Sequence, residues 1–99
     1  MNDILYFPIV ITSKDELNQV EVSEEFTRQV FCEKKSISQD EFFKAGQNGF
    51  KPKCLLIVYT LDYREEQKVK YCEKKYSIYR TYERDEERIE LYCEVRSGG

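Results

Sequence analysis

Two carboxylate clusters, Glu65-Glu66 and Asp85-Glu86-Glu87, are where the chain could carry out general acid–base chemistry. That chemistry needs a carboxyl group held at a raised pKa by burial or by a close neighbour. Both clusters sit among polar residues that read as turns, so solvated turns are expected and not a catalytic pair. Histidine is absent from the 99 residues, which removes Ser-His-Asp and Cys-His arrangements and every zinc site built on imidazole. Cys32, Cys54, Cys72 and Cys93 lie about twenty residues apart and form no C-x-x-C pair, which argues against a zinc ribbon or a thioredoxin-type centre. Two disulfides in a secreted domain would be another use of them. The start Met1-Asn2-Asp3 lacks the basic region of a secretory leader, so reduced, partly buried thiols in a soluble cytosolic protein are expected. No G-x-x-x-x-G-K-[ST] or G-x-G-x-x-G loop is present to cradle a phosphate. The expectation is a protein that is not an enzyme, with no catalytic residue, cofactor or metal.

Arg80 is the most specific polar feature, flanked by Tyr79, Thr81 and Tyr82 inside an expected strand and placed on the face of Ile78 and Tyr82. Two readings stay open. Its stem can pack on aromatic rings while its head meets a carboxylate, or the head can meet a partner or a phosphate. Lys68, Lys70, Lys74, Lys75 and Arg80 interleave with Tyr71, Tyr76, Tyr79 and Tyr82, as on a nucleic-acid platform. Simple alternation gives the same pattern, with aromatics buried on one face and bases wet on the other. A small nucleic-acid-binding β-barrel is therefore the alternative reading of function.

The elements that must position these residues are mostly strands. Aromatic residues make up 14% of the chain and favour a pleated, half-buried surface. Ile4 to Ile11 is an apolar run broken by Pro8, which reads as an edge strand or one with a break, and it is far shorter than the ~20 residues of a membrane helix. Thr12 to Glu25 follows as a mobile acidic loop or a loosely paired hairpin arm, carrying Asp15, Glu16, Glu21, Glu24 and Glu25 against Lys14, a net −4. A strand runs from Phe26 to about Ile37, with Phe26, Val30 and Cys32 on one face. Ser38-Gln39-Asp40-Glu41 has the form of a capping box in which Glu41 reaches back to the Ser38 amide. It opens one short helix, about 38–48, closed by Gly46 or Gly49 before Pro52. Phe42 and Phe43 are adjacent, so one is expected to face the barrel and the other a rim or a partner.

After the helix, Cys54 to Leu61 reads as a central strand covered on both faces. Val69 and Tyr71, then Tyr76 to Tyr82, then Ile89 to Val95 give three more strands, with polar turns at Asp62 to Glu66 and Glu73-Lys74-Lys75. The fold expected is mainly β: one domain over 1–99, a small antiparallel barrel or sandwich of five to seven strands with one short helix. Residues 26–82 carry twelve basic against seven acidic residues, a net +5, between acidic flanks. A basic middle between acidic ends suits a protein that shows different faces to different neighbours.

From Val30 to Glu94 the chain resembles the bacteriophage head-closure (head–tail adaptor, or head–tail joining) family. The resemblance rests on Val30-Phe31-Cys32-Glu33, Ser36 to Pro52, Asp62-Tyr63, Val69-Lys70-Tyr71, Tyr76 to Tyr82 and Ile89 to Glu94, taken in that order. Its most specific parts are the patterns E-F-x-x-A-x-x-x-G-x-x-P at 41–52 and Y-x-I-Y-R-T-Y at 76–82. Two turns depart from it: Glu65 stands where a Gly usually precedes a Glu, and the turn at Glu73-Lys74 lacks its frequent Gly.

The resemblance implies a structural virion protein, prophage-encoded or from a tailed phage. It would form a ring under the portal and adaptor ring proteins, close the DNA-filled head and dock the tail proteins. Such proteins are often monomeric alone and become rings only on the connector. Packaged DNA would pass nearby without sequence-specific binding. The place implied is the host cytoplasm during assembly and then the head–tail interface, with no membrane. The helix and its loop, with Glu41, Phe42, Phe43, Lys44, Gln47, Phe50 and Lys51, are the expected contact segment for the ring or the channel. The acidic stretch is the expected docking arm onto a neighbouring ring. Ser38, Gly49, Pro52, Arg80 and Tyr82 are expected to hold the frame.

Overall fold

Ile89, Leu91 and Cys93 alternate with Glu90, Tyr92 and Glu94, and that alternation separates an inside from an outside. A computed structural model describes residues 2–95. Six antiparallel strands close into a barrel: β1 (Asp3–Lys14), β2 (Val20–Lys35), β3 (Pro52–Tyr59), β4 (Lys68–Tyr71), β5 (Lys74–Glu83) and β6 (Arg88–Val95). They stand in the order β1-β2-β3-β6-β5-β4, and β4 returns to β1 through Leu5↔Tyr71 and Tyr6↔Lys70. One helix, α1 (Gln39–Gln47), links β2 to β3, and a 3₁₀ turn, Thr60–Asp62, follows β3.

The interior is filled by alternate residues of every strand, among them Leu5, Phe7, Val30, Cys32, Leu56, Val58, Val69, Tyr76 and Leu91. β3 is covered on both faces, as its apolar run requires: Cys54, Leu56 and Val58 join the interior cluster, while Leu55 and Ile57 are buried on the outer side. α1 lies against β3 there, through its one buried residue, Ala45.

Two register shifts redirect side chains. The first falls between Phe7 and Pro8: Phe7 pairs with Arg28 and Pro8 with Phe26, which leaves Thr27 over. Proline cannot donate to a ladder, and it stands just past the two residues that pair with β4. Phe26 therefore does not share the interior with Val30 and Cys32, as its spacing suggested, and instead carries the Lys75 ammonium 5.0 Å above its ring. The second shift lies between Ile78 and Arg80 and leaves Tyr79 over.

Residues 12–25 are a paired hairpin arm, not a loop. β1 and β2 stay in register from Ile9↔Glu25 to Lys14↔Val20, and only Asp15–Gln19 turns. In that turn Asp15 Oδ1 accepts from the amides of Leu17 and Gln19, both at 2.9 Å, and Asn18 takes φ 60°, a region asparagine tolerates. β1 meets β4 only at Leu5 and Tyr6, and β2 meets β3 only from Glu33 to Lys35. Beyond those points the hairpin pairs with no further strand among the described residues, which measure 53 × 30 × 22 Å.

β4 and β5 are joined by Cys72 and Glu73 at φ 50° and 65°, a two-residue turn whose hand matches the strand twist. Lys74 and Lys75, expected in that turn, belong to β5 instead. Glu65, in the loop between β3 and β4, also takes a positive φ of 62°.

Candidate functional site

The site begins at the start of α1. Ser38 is the N-cap, and its Oγ accepts from the Glu41 amide at 3.1 Å, as the capping box predicts. The reciprocal half of the box does not form. The Glu41 carboxylate turns to β5 instead, where Oε1 accepts from Arg80 Nη2 and Oε2 accepts from the Tyr79 hydroxyl at 3.0 Å. A guanidinium and a phenol together give the carboxylate two hydrogen bonds and an opposite charge, where the Ser38 amide offers one bond from a neutral donor.

Arg80 reaches that carboxylate only because Tyr79 is the extra residue of its strand. Without the shift Arg80 would share the face of Ile78, as its spacing suggested. With it, Arg80 pairs with Tyr92 on the outside, its guanidinium carbon 4.0 Å from the centre of the Tyr92 ring. Tyr92 donates its hydroxyl to Glu90 at 2.8 Å, and Tyr79 stacks on Phe50 with ring centres 4.9 Å apart. Of the two readings of Arg80, the first holds for the head, which meets a carboxylate, but it is the guanidinium and not the stem that lies over an aromatic ring.

Electrostatics follow from burial. The Tyr79 phenol is pushed above its ordinary range by burial and by the hydrogen bond to Glu41, and Tyr92 by burial and its bond to Glu90. Burial works against the charge on Arg80, but the bond and charge of Glu41 outweigh it and raise its pKa. The network lines an open cleft of about 510 Å³ between α1 and the sheet.

The other end of α1 is closed by a Schellman arrangement. The Phe50 amide donates to the Ala45 carbonyl at 3.0 Å and the Gly49 amide to the Gly46 carbonyl at 3.1 Å, with Gly49 at φ 86°. Gly49 is thus the capping glycine, and Gly46 lies within the helix. Lys51 follows with its amide bound to Glu94 Oε2 at 3.0 Å, and Pro52 opens β3.

Phe42 and Phe43 both face outward, at 53% and 60% exposure, where one was expected to face the barrel. The sheet-facing stripe of α1 runs through Glu41 and Ala45, four residues apart, and a side chain one or two positions on is rotated away from it. The two rings meet edge to face with centres 6.2 Å apart. Lys44 pairs with Asp40 at 3.0 Å on the solvent side, and Gln47 is exposed. Tyr82 lies opposite Glu90 on the outer face and is exposed.

The remaining expected residues are apart from this site. Asp15, Glu16, Glu21, Glu24 and Glu25 line the hairpin arm, and among the described residues Glu24 alone of them meets a cation, Lys68 at 3.3 Å.

A second polar cluster was missed by reading the sequence. Glu66, expected to be solvated, is only 12% exposed in its side chain and is paired with Arg28, whose guanidinium carbon stands 4.8 Å from the centre of the buried Phe7 ring. Glu66 also accepts from the Arg64 amide at 2.6 Å, while its carbonyl accepts from the Tyr63 hydroxyl at 2.8 Å. The available signal was the parity of Arg28 with Val30 and Cys32. The other carboxylate cluster is a turn: Asp85 accepts from the amides of Glu87 and Arg88, which hold it below its ordinary range.

Cys32, Cys54 and Cys93 are buried free thiols and Cys72 is exposed. Burial pushes the Cys32 thiol up to about 12. Among the described residues no group of His, Cys, Asp and Glu is placed to hold a metal ion, and no helix is long and apolar enough to cross a membrane.

Fold and site together define a small closed antiparallel β-barrel with an anchored helix that displays two phenylalanines and with a free acidic hairpin. No known family model and no curated protein matches the chain.

Proposed function

We propose that the chain is a structural subunit of a tailed-phage head–tail connector, one of a ring of copies that sits under the portal and adaptor, closes the filled head and receives the tail. The observation that carries this reading is the outward pair Phe42 and Phe43 on a helix held rigidly through Glu41, Arg80 and Tyr79. Adjacent exposed aromatic rings on a fixed element are the composition of an interface core, not of a free surface. The resemblance of residues 30–94 to head-closure proteins supplies the identity of the partner. Glu65 and Glu73, where that resemblance expects turns with glycine, both take the positive φ that glycine favours.

A nucleic-acid-binding barrel is supported less well. Of the four rings in the basic, aromatic middle, Tyr71 and Tyr76 are buried and Tyr79 is stacked on Phe50, which leaves Tyr82 as the exposed one. A stacking platform offers several free rings to successive bases.

The test is negative-stain microscopy of the chain mixed with portal complexes. Added ring density beneath the portal is expected for the native chain. Phe42→Ala and Phe43→Ala, both folded because both rings are exposed, should each lose that density. An unaltered portal with the native chain, or full seating by both variants, would remove this reading.

A further inference from the structure

We propose that the acidic hairpin arm docks on the lysine-rich opposite end of a second copy of the same chain, head to tail. This deepens the ring reading and rests on it for closure of the contact into a circle.

The charges of the molecule are divided along its length. Glu16, Glu21 and Glu25 on the arm have no cationic partner among the described residues. Asp62, Glu65, Glu86 and Glu87 lie in loops at the same end of the barrel, since β3 and β5 both run toward it. At the other end, β2 finishes with Lys34 and Lys35, β3 starts beside Lys53, and the turn after β4 leads into Lys74. Lys34, Lys53 and Lys74 have no carboxylate partner among the described residues, unlike Lys35 beside Glu33 and Lys68 beside the root of the arm. Lys34 pairs with Leu56, three residues along β3 from Lys53.

Lys14 and Arg64 at the acidic end are also without a carboxylate partner among the described residues, but carboxylates outnumber them there, and that surplus cannot meet the lysines of the opposite end within one chain. They can meet between two. The contact is heterologous, the kind that closes into a ring when its rotation allows.

The arm is also built for company. Val10, Val20 and Val22 are 67%, 56% and 67% exposed on it, and Leu17 at its tip is 77% exposed. Its outer strand edges carry unpaired backbone groups, and an isolated two-stranded ribbon is marginal in water. The occupant that the charges select is this chain itself.

The experiment is sedimentation velocity of the full chain up to about 1 mM, in about 0.02 M and about 0.5 M salt. Association is expected in low salt and should weaken about tenfold or more in high salt. The arm variant E16K/E21K/E25K and the end variant K34E/K53E/K74E should each stay monomeric, because each then presents like charges to its own copies. Mixed in equal amounts, they should associate again. The single pair Glu21→Lys and Lys53→Glu, on exposed side chains, repeats the test with the least disturbance of folding. A native chain that stays monomeric at low salt overturns the inference, as does association that neither reversal affects, or a mixture that stays monomeric. Loss of single-stranded DNA binding in the end variant with self-association unchanged also overturns it, and makes that end a phosphate site. Head-to-tail association without seating on portal complexes would leave this inference standing and remove the connector reading. Seating by a chain that never self-associates would do the reverse.

Discussion

Glu41 is a residue diverted from its local duty. The pattern Ser38-x-x-Glu41 predicts a closed capping box, yet only the Ser38 half forms. The Glu41 side chain, 13% exposed, belongs instead to Arg80 and Tyr79, nearly forty positions away. Removing Arg80 should leave that carboxylate under-compensated. Arg80→Ala is expected to cost about 1–2 kcal/mol in urea unfolding, between an exposed pair and a buried one. Glu41→Ala should cost about as much, and the double variant little more than either single one, because the two side chains share one interaction. Additive losses would mean that they act apart. The tyrosines of the same network make a second expectation. A phenol whose pKa rises on folding keeps its proton in the folded chain when the unfolded chain has lost it. The stability it confers is whole below its ordinary value of 10.0 and is lost as pH climbs from there toward the folded value. Melting temperature measured from neutral to strongly alkaline pH should therefore fall above about pH 10, and less steeply in Tyr79→Phe. A flat profile for the native chain would show that Tyr79 is solvated.

At the scale of elements, period-two alternation made β6 and the doubly covered β3 legible, and Ser38, Gly49 and Pro52 bounded the helix within a residue. The two register shifts were not legible, because a bulge changes parity without changing composition. Both errors of facing, at Phe26 and at Arg80, lie directly beyond one. Phe42 and Phe43 were misjudged for a different reason: the inward stripe of α1 holds a charged residue, Glu41, whose partner comes from another element. The β4–β5 turn was displaced because neither Cys72 nor Glu73 announces a left-handed backbone. Both nonetheless adopt one, at a cost that glycine would not bear. Glu73→Gly should therefore stabilise the chain by about 0.5–1 kcal/mol, read as a higher urea midpoint at unchanged slope. Among the described residues the Glu73 carboxylate meets only Lys70, at 3.7 Å and on the surface, so little is lost with its side chain. A lower midpoint would mean that this exposed pair outweighs the backbone strain.

For the whole molecule, the acidic stretch read from residue order became one end in space, the arm, while the basic middle is split, with Arg64 and Lys68 at the arm's end and Lys34, Lys53 and Lys74 at the other. What the order of residues concealed is that the arm is separable from the barrel. The hairpin contributes Leu5, Phe7, Val30 and Cys32 to the interior, and all four lie on the barrel side of the shift at Pro8. Nothing beyond that shift enters the core cluster, so the distal ribbon is held by its own ladder and by the Glu24–Lys68 and Phe26–Lys75 contacts at its root. A segment with so little buried area adds little to global stability and can open alone. Because Val10 pairs with Glu24, replacing Ile11–Ser23 by Asn-Gly would close the hairpin in a favoured two-residue turn and keep both root contacts. The shortened chain should unfold in one cooperative step within about 1 kcal/mol of the native chain, while losing the salt-sensitive association of the full arm. Loss of cooperative unfolding would mean that the arm supports the barrel, and its exposed valines and carboxylates would then have to be explained by stability and not by docking.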